Sequence, residues 1–420
     1  MNKYTSAFLL LIFPTVVFSQ IDPAHIDIVR DSFGVPHIFA QTDAEVAYGL
    51  AWAHCEDDFE TLQTCFLAAK GLLGQVKGKD GAGVDYVVQA IRARELATEK
   101  YNTLSPDFQR LLEGYCAGFN QFAKTHPKEV LHKKLIPITP LDMSTFGVLQ
   151  LYVFTGGDAA LQSILAGKVP LAEMPTAHGS NAYAFNSNKT KDGQVYLNIN
   201  SHQPWEGIVA WYEAHLCSQE GLNIVGGLFP GAPCILHGCN EYLGWAHTVN
   251  NPDKLDVYQL EINPQNHLQY RFDNQWLTLE ERNIPLKVKM AGVKIKVHKK
   301  AWWSVYGPTF RNKQGTFSIR SSGMFDIRAL EEWYRMNKAR SFSEFYNILK
   351  MEAIPGFNLV YADRRDTIFY LSNGKIPVRT TGYDWQNTLP GNTSRTLWTQ
   401  FHPLEDLPQM INPPSGYVFN

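Results

Sequence analysis

The sequence predicts an α+β protein. Apolar residues recur at helical spacing through most of the first 165 positions, and short alternating runs separated by turn residues dominate after Ser180. Nowhere do strands and helices alternate regularly, as a doubly wound parallel sheet would require. With 420 residues, 45% of them hydrophobic and 13% aromatic, the chain has enough apolar material for a large core and more than one structural unit.

The elements follow in order. Lys3, the apolar run Ala7 to Phe18 and the pair Val17 and Ser19 read as a secretory leader spanning 1–19. That run is too short, and Pro14 too central, for a spanning helix, so a secreted or periplasmic protein without stable membrane insertion is expected. Ile26 to Arg30 alternates as a strand, and Gly34 with Pro36 marks a turn. Thr42 then caps a helix with Asp43 and Glu45 in its first turn, ended by Gly71 and Gly74. Within it, Glu56-Asp57-Asp58 reads as a solvated acidic face rather than a metal site. Ser105-Pro106 opens a second helix that Pro127 stops, and Leu141 to Leu165 is helical in two pieces broken at Gly156-Gly157. Periodicity is lost from Ala166 to Gly179, as in a linker.

Beyond the linker, Ala182–Ser187 and Gln194–Asn200 form a hairpin about Asp192-Gly193, which brings the region His202 to Trp205 back opposite Ser180, so that a histidine falls near the serine. Further hairpins are expected from Cys234–His237 with Tyr242–Val249, about Gly238-Cys239-Asn240-Glu241, and from Asn358–Ala362 with Thr367–Leu371. Val288–His298 reads as a single alternating run, and Leu330–Lys350 as a helix. A net charge of −2 offers no basic field for nucleic acid. The six cysteines form no zinc-like pairs. Cys55, Cys65 and Cys116 fall in helical patterns as small buried hydrophobes, while Cys234 and Cys239 could pair across a tight loop.

Gly179-Ser180 at the linker-to-strand boundary is the chemically suggestive feature. A serine at a strand start serves as its own base once the preceding peptide bond is cut, because the freed α-amine has a pKa of about 8. His215, His237 and His247 lie in strand or helix patterns and read as packed or solvated residues.

Over almost the whole mature chain the motifs resemble the penicillin acylase family of N-terminal-nucleophile amidohydrolases, which includes acyl-homoserine lactone acylases. The resemblance rests on Arg30-Asp31 with Gly34-Val35-Pro36-His37-Ile38, on Ala53-His54-Cys55-Glu56-Asp57-Asp58, and on Gly179-Ser180-Asn181-Ala182. It continues through Asn200-Ser201-His202-Gln203-Pro204-Trp205, Trp245-Ala246-His247-Thr248-Val249, Asn358 with Tyr361-Ala362-Asp363, and Pro377 with Arg379.

The resemblance implies a four-layer αββα sandwich. It implies a leader at 1–19, a mainly helical α-chain at 20–162, a spacer at 163–179 and a β-rich β-chain from 180 to 420, which would form a heterodimer from one precursor. Ser180 would be the nucleophile, oriented by His202; Val249 through its backbone N–H and Asn358 through its amide would form an oxyanion hole; Arg379 would order Asn358 and the amine. Asp253 and Asp256 match a pair that holds a structural calcium in some relatives, though they suit equally the turn begun by Asn250-Asn251-Pro252. No organic cofactor is implied. The substrate would be a small-molecule acyl amide, an acyl-homoserine lactone or a β-lactam side chain. Two departures stand out: Gln203 replaces a phenylalanine common in the acyl pocket, and relatives continue well beyond the segment ending at Asn420, which leaves an inactive or binding-only truncated form as the alternative.

Overall fold

A computed structural model describes residues 21–170 and 179–420. The expected leader and residues 171–178 of the expected spacer lie outside the described residues. The centre is a nine-stranded sheet in the order Asp27–Arg30, Pro36–Ala40, Tyr212–Ser218, Asn223–Leu228, His237–Asn240, Leu243–Thr248, Asn358–Asp363, Ile368–Ser372 and Gln409–Ile411. Pro36–Ala40 runs parallel to Tyr212–Ser218, with His37 opposite His215, so the expected α-chain supplies two strands to the sheet as well as helices.

One face of this sheet is covered by helices. Thr42 caps the helix Asp43–Ala69 in a reciprocal box with Glu45, and Ser105 caps Pro106–Thr125, both as their sequences dictate. These two helices meet backbone to backbone. A Cβ on Gly114 would lie 2.0 Å from the Ala44 carbonyl oxygen, and one on Gly118 would lie 2.3 Å from that of Tyr48, so glycine is what permits the crossing. Phe66, Tyr115, Phe119 and Phe146 fill the space between the helices in edge-on ring contacts.

The other face carries a three-stranded sheet in the order Tyr417–Phe419, Ser180–Phe185, Tyr196–Ser201. Its contact with the large sheet is made chiefly of small side chains: Ala182 and Ala184 against Ala246, Val360 and Ala362. Helices, large sheet and three-stranded sheet thus account for three layers of the expected four. The outer face of the small sheet exposes Tyr183, Tyr196, Tyr417 and Phe419. A separate six-stranded sheet is built around the long hairpin Glu280–Met290 and Val293–Ser304.

Several expectations need correction. Gly74 does not end helical structure; it starts the helix Gly74–Ala90, whose glycines let it lie on the hairpin, a Cβ at Gly74 falling 2.8 Å from the Lys287 carbonyl oxygen. Val288–His298 is interrupted by a turn at Ala291-Gly292, both at positive φ. His237–Asn240 is strand where a turn was expected, because the Asn240 side chain accepts from the N–H groups of Tyr242 and Leu243 and moves the reversal two residues on. Leu330–Lys350 is two helices, Ala329–Asn337 and Phe342–Leu349, since Ser341 caps the second. Residues 163–165 of the expected spacer belong to the helix Gly157–Leu165. Glu56 and Asp57 lie on an exposed face but accept hydrogen bonds from Arg30, tying the first strand to the helix. All six cysteines are free, with Cys55, Cys65, Cys116 and Cys234 buried.

Candidate active site

Strand pairing builds the site. Ser180 opens its strand directly opposite Ser201, so the chain leaving the hairpin carries His202 past the serine. The His202 backbone N–H donates to Ser180 Oγ at 3.3 Å, and Ser180 Oγ–H donates to the Gly179 carbonyl oxygen at 2.7 Å. The imidazole reaches towards Gly179, its Nδ1 lying 3.8 Å from where a Cβ on that glycine would be, while its Nε2 accepts from Asn200 Nδ2 at 3.1 Å. The serine hydroxyl therefore lies against the peptide bond that precedes it.

Beneath the serine, the paired strands Leu243–Thr248 and Asn358–Asp363 bring Thr248 opposite Asn358. Asn358 is 4% exposed, and its amide is fully engaged: Nδ2 donates to Thr248 Oγ1 at 3.1 Å and to the Val249 carbonyl at 3.2 Å, while Oδ1 accepts from Tyr370 at 2.9 Å. Thr248 in turn donates to Asn420 Oδ1. Val249 and Asn358 are neighbours, as expected, but they meet through the Val249 carbonyl rather than through donors converging on an empty point. A buried amide must satisfy its N–H groups, and these are the acceptors within reach.

Arg379 departs from its expected place. Its guanidinium donates to Asp253 at 2.8 Å and to Asp256 at 2.9 and 3.0 Å, and stacks over Trp385, while Tyr370 and Thr248 hold Asn358 instead. The two carboxylates assigned to calcium are thus already bridged by a cation. Burial pushes Asp256 up to about 6 even beside that cation. Calcium takes six to eight oxygen ligands; two arginine-bound carboxylates do not form such a cage, and among the described residues no group of three or more His, Cys, Asp or Glu side chains converges as metal ligands.

A cavity of about 30 Å³ adjoins Ser180, walled by Gln203, Trp211, Phe229, Trp333 and Phe357. It has room for about one water. His247 lines it too, and burial lowers its pKa to about 4, so the ring is neutral. Its Nε2 accepts from Trp333 Nε1 at 2.9 Å, which leaves Nδ1 protonated to donate to the Asn358 carbonyl at 3.3 Å. His247 is packed and hydrogen-bonded, as its strand pattern suggested. Glu332, next to Trp333, is 1% exposed. Its Oε2 accepts from the N–H groups of Ala353 and Ile354 at 2.7 and 3.1 Å and anchors the segment leading to Phe357 and Asn358.

Of the residues gathered here, the sequence reading named Ser180, His202, Gln203, Val249 and Asn358 and took His247 as packed, but did not single out Thr248, Tyr370 or Trp333. Thr248 and Tyr370 were within reach, since they lie on the strands already paired around Asn358. Trp333 gave no signal, being one of several apolar residues in a helical run.

The penicillin amidase family model matches residues 25–420. Curated relatives include the acyl-homoserine lactone acylase PvdQ of Pseudomonas syringae pv. syringae, 25% identical over 84% of this chain and 51% of the relative. Another is the aculeacin-A acylase of Actinoplanes utahensis, 24% identical over 84% of this chain and 50% of that protein. The chain spans about half the length of the curated relatives it matches. Among solved structures, a thermostable penicillin G acylase from Alcaligenes faecalis superposes with a TM-score of 0.51 and 28% identity, covering 57% of this chain and 43% of that one.

Proposed function

The chain belongs to the penicillin amidase family, and on that premise we propose that it is an exported amidohydrolase that removes the acyl group from a small-molecule amide after cutting itself before Ser180. The observation that carries this reading is the Ser180 hydroxyl, held 2.7 Å from the Gly179 carbonyl oxygen and flanked by His202. In maturation, Ser180 Oγ attacks the Gly179 carbonyl carbon, the C–N bond breaks as the Ser180 nitrogen takes the proton, and water opens the resulting ester. Two chains result, and the second begins with a free amine and a hydroxyl on one residue.

In turnover the same hydroxyl attacks the substrate amide. The α-amine accepts its proton, directly or through a water, and passes it to the leaving amine; water then hydrolyses the acyl-enzyme. The tetrahedral oxyanion is met by the Asn358 amide once one of its present bonds is exchanged, and by the Val249 N–H. Acyl-homoserine lactones and acylated β-lactams are the substrate classes that the relatives' names bring forward. Export rests on the 1–19 leader; among the described residues no helix is long and apolar enough to cross a membrane.

Intact mass and N-terminal sequencing of the purified protein test the reading. Two fragments are expected, one starting at Ser180, and Ser180→Ala should leave one uncut chain. A different new N-terminus, or cleavage of the alanine variant, refutes the assignment.

A further inference from the structure

Asn250 follows Val249 and Phe357 precedes Asn358, so both supports of the proposed oxyanion hole are one peptide bond from this pair. The pair is directly joined: the Phe357 N–H donates to Asn250 Oδ1 at 2.8 Å. Asn250 Nδ2 donates to the Asn373 carbonyl at 2.7 Å, and the buried Asn373 side chain returns hydrogen bonds to the carbonyls of Ile354 and Gly356 at 3.3 and 3.4 Å. Three separate pieces of chain, around 250, 354–357 and 373, are closed into one ring through two carboxamides, those of Asn250 and Asn373.

Phe357 has reason to need holding. Its φ is +81°, in the left-handed region that a bulky aromatic residue enters only when its surroundings impose it. The Asn250 carboxamide cannot turn over to release it, because Oδ1 also faces the Lys254 ammonium at 3.5 Å while Nδ2 faces a carbonyl. Lys254 is itself buried against Gly356, where a Cβ would fall 2.4 Å from Nζ, so the clamp is backed by packing on its far side. Val249 and Phe357 line the cavity at Ser180, whereas Asn250 stands behind them.

We propose that Asn250 is a positioning residue for the oxyanion hole: by fixing the Phe357 backbone against the peptide that follows Val249, it sets the distance and direction of the Asn358 amide relative to Val249. The inference rests on the acyl-transfer reading above, and its consequence is separable from it. Loss of the clamp should lower the rate of the chemical step while leaving substrate binding in place, since Asn250 does not line the cavity.

The test compares wild type, Asn250→Ala and Asn250→Asp as full chains, by kcat and KM on an acyl amide and by amide hydrogen exchange of the 354–358 segment. Asn250→Ala should lower kcat at least tenfold with KM within about twofold, and speed exchange at 354–358 at least tenfold. Asn250→Asp keeps the acceptor for the Phe357 N–H but loses the donor to the Asn373 carbonyl, and should recover part of both. If the alanine variant does not accumulate, Asn250→Ser, too short to reach that N–H, replaces it with the same expectation. Unchanged kcat and exchange in the alanine or serine variant overturn the proposal, as does an aspartate variant no better than either. A wild type that neither cuts itself nor turns over any acyl amide refutes the functional reading; exchange at 354–358 still decides whether Asn250 clamps Phe357.

Discussion

Replacing Glu332 with glutamine should remove a large pH dependence from the fold. Burial pushes this carboxyl from 4.5 up to about 8, outweighing the two backbone N–H groups that favour its charged form. The sign follows from proton uptake. Between those two pH values the unfolded chain has released the proton and the folded chain retains it, so folded stability falls as pH rises. It is greatest below 4.5 and reaches its floor above 8. At about 1.4 kcal/mol per pH unit, the interval corresponds to about 5 kcal/mol. Glutamine keeps an oxygen for Ala353 and Ile354 and does not ionise. Urea unfolding across pH 4.5 to 8.5, on a Ser180→Ala background so that one covalent chain is compared, should show Glu332→Gln close to its parent at the acid end and more stable by several kcal/mol at the alkaline end. Parallel stability curves would refute the reasoning and imply that Glu332 is ionised in the fold.

Other predictions concern the site and its support. Asn358→Ala should lower kcat about a hundredfold with little change in KM, since it removes the side-chain amide that lies against Val249; near-normal turnover in steady-state kinetics would reduce Asn358 to a strand residue. Gln203→Phe should raise kcat/KM for a long-chain acyl amide relative to a short one, because Gln203 walls the cavity and each methylene in contact contributes about 0.8 kcal/mol; an unchanged ratio would place the acyl group elsewhere. Gly118→Ala, whose new methyl would meet the Tyr48 carbonyl oxygen, should cost about 1–3 kcal/mol in thermal or urea unfolding, and an unaltered midpoint would mean that the two helices separate freely.

What was legible in the sequence was what local chemistry writes there. Thr42 with Glu45, Ser105 with Pro106, and the glycines at 34 and 156 mark boundaries through their own side chains or lack of one, and these stand. The hairpin about Asp192-Gly193 put the region from His202 opposite Ser180, one residue beyond Ser201, which pairs with it. Two of the failures share a cause: there, a distant partner outweighed the local signal. Gly74 looks like a helix breaker until the hairpin backbone at Lys287 lies against it. Arg379 belongs with Asp253 and Asp256, a pairing across more than a hundred residues that no spacing rule reports. The Asn358 environment was half legible, because strand register predicts Thr248 but not the choice of the Val249 carbonyl over its N–H.

The pairing of Ser180–Phe185 with Tyr417–Phe419 carries a consequence for timing. On one side Ser180–Phe185 is joined to a neighbour made moments later, by a short hairpin; on the other it waits for a strand roughly 230 residues further along, a loop closure that is slow to achieve. Asn420 also exchanges backbone hydrogen bonds with Ala182 and receives the Thr248 hydroxyl that supports Asn358. The surroundings of the Gly179–Ser180 bond are therefore incomplete while the chain is being synthesised. Under the proposed self-cleavage, the cut at that bond waits for the last strand to dock.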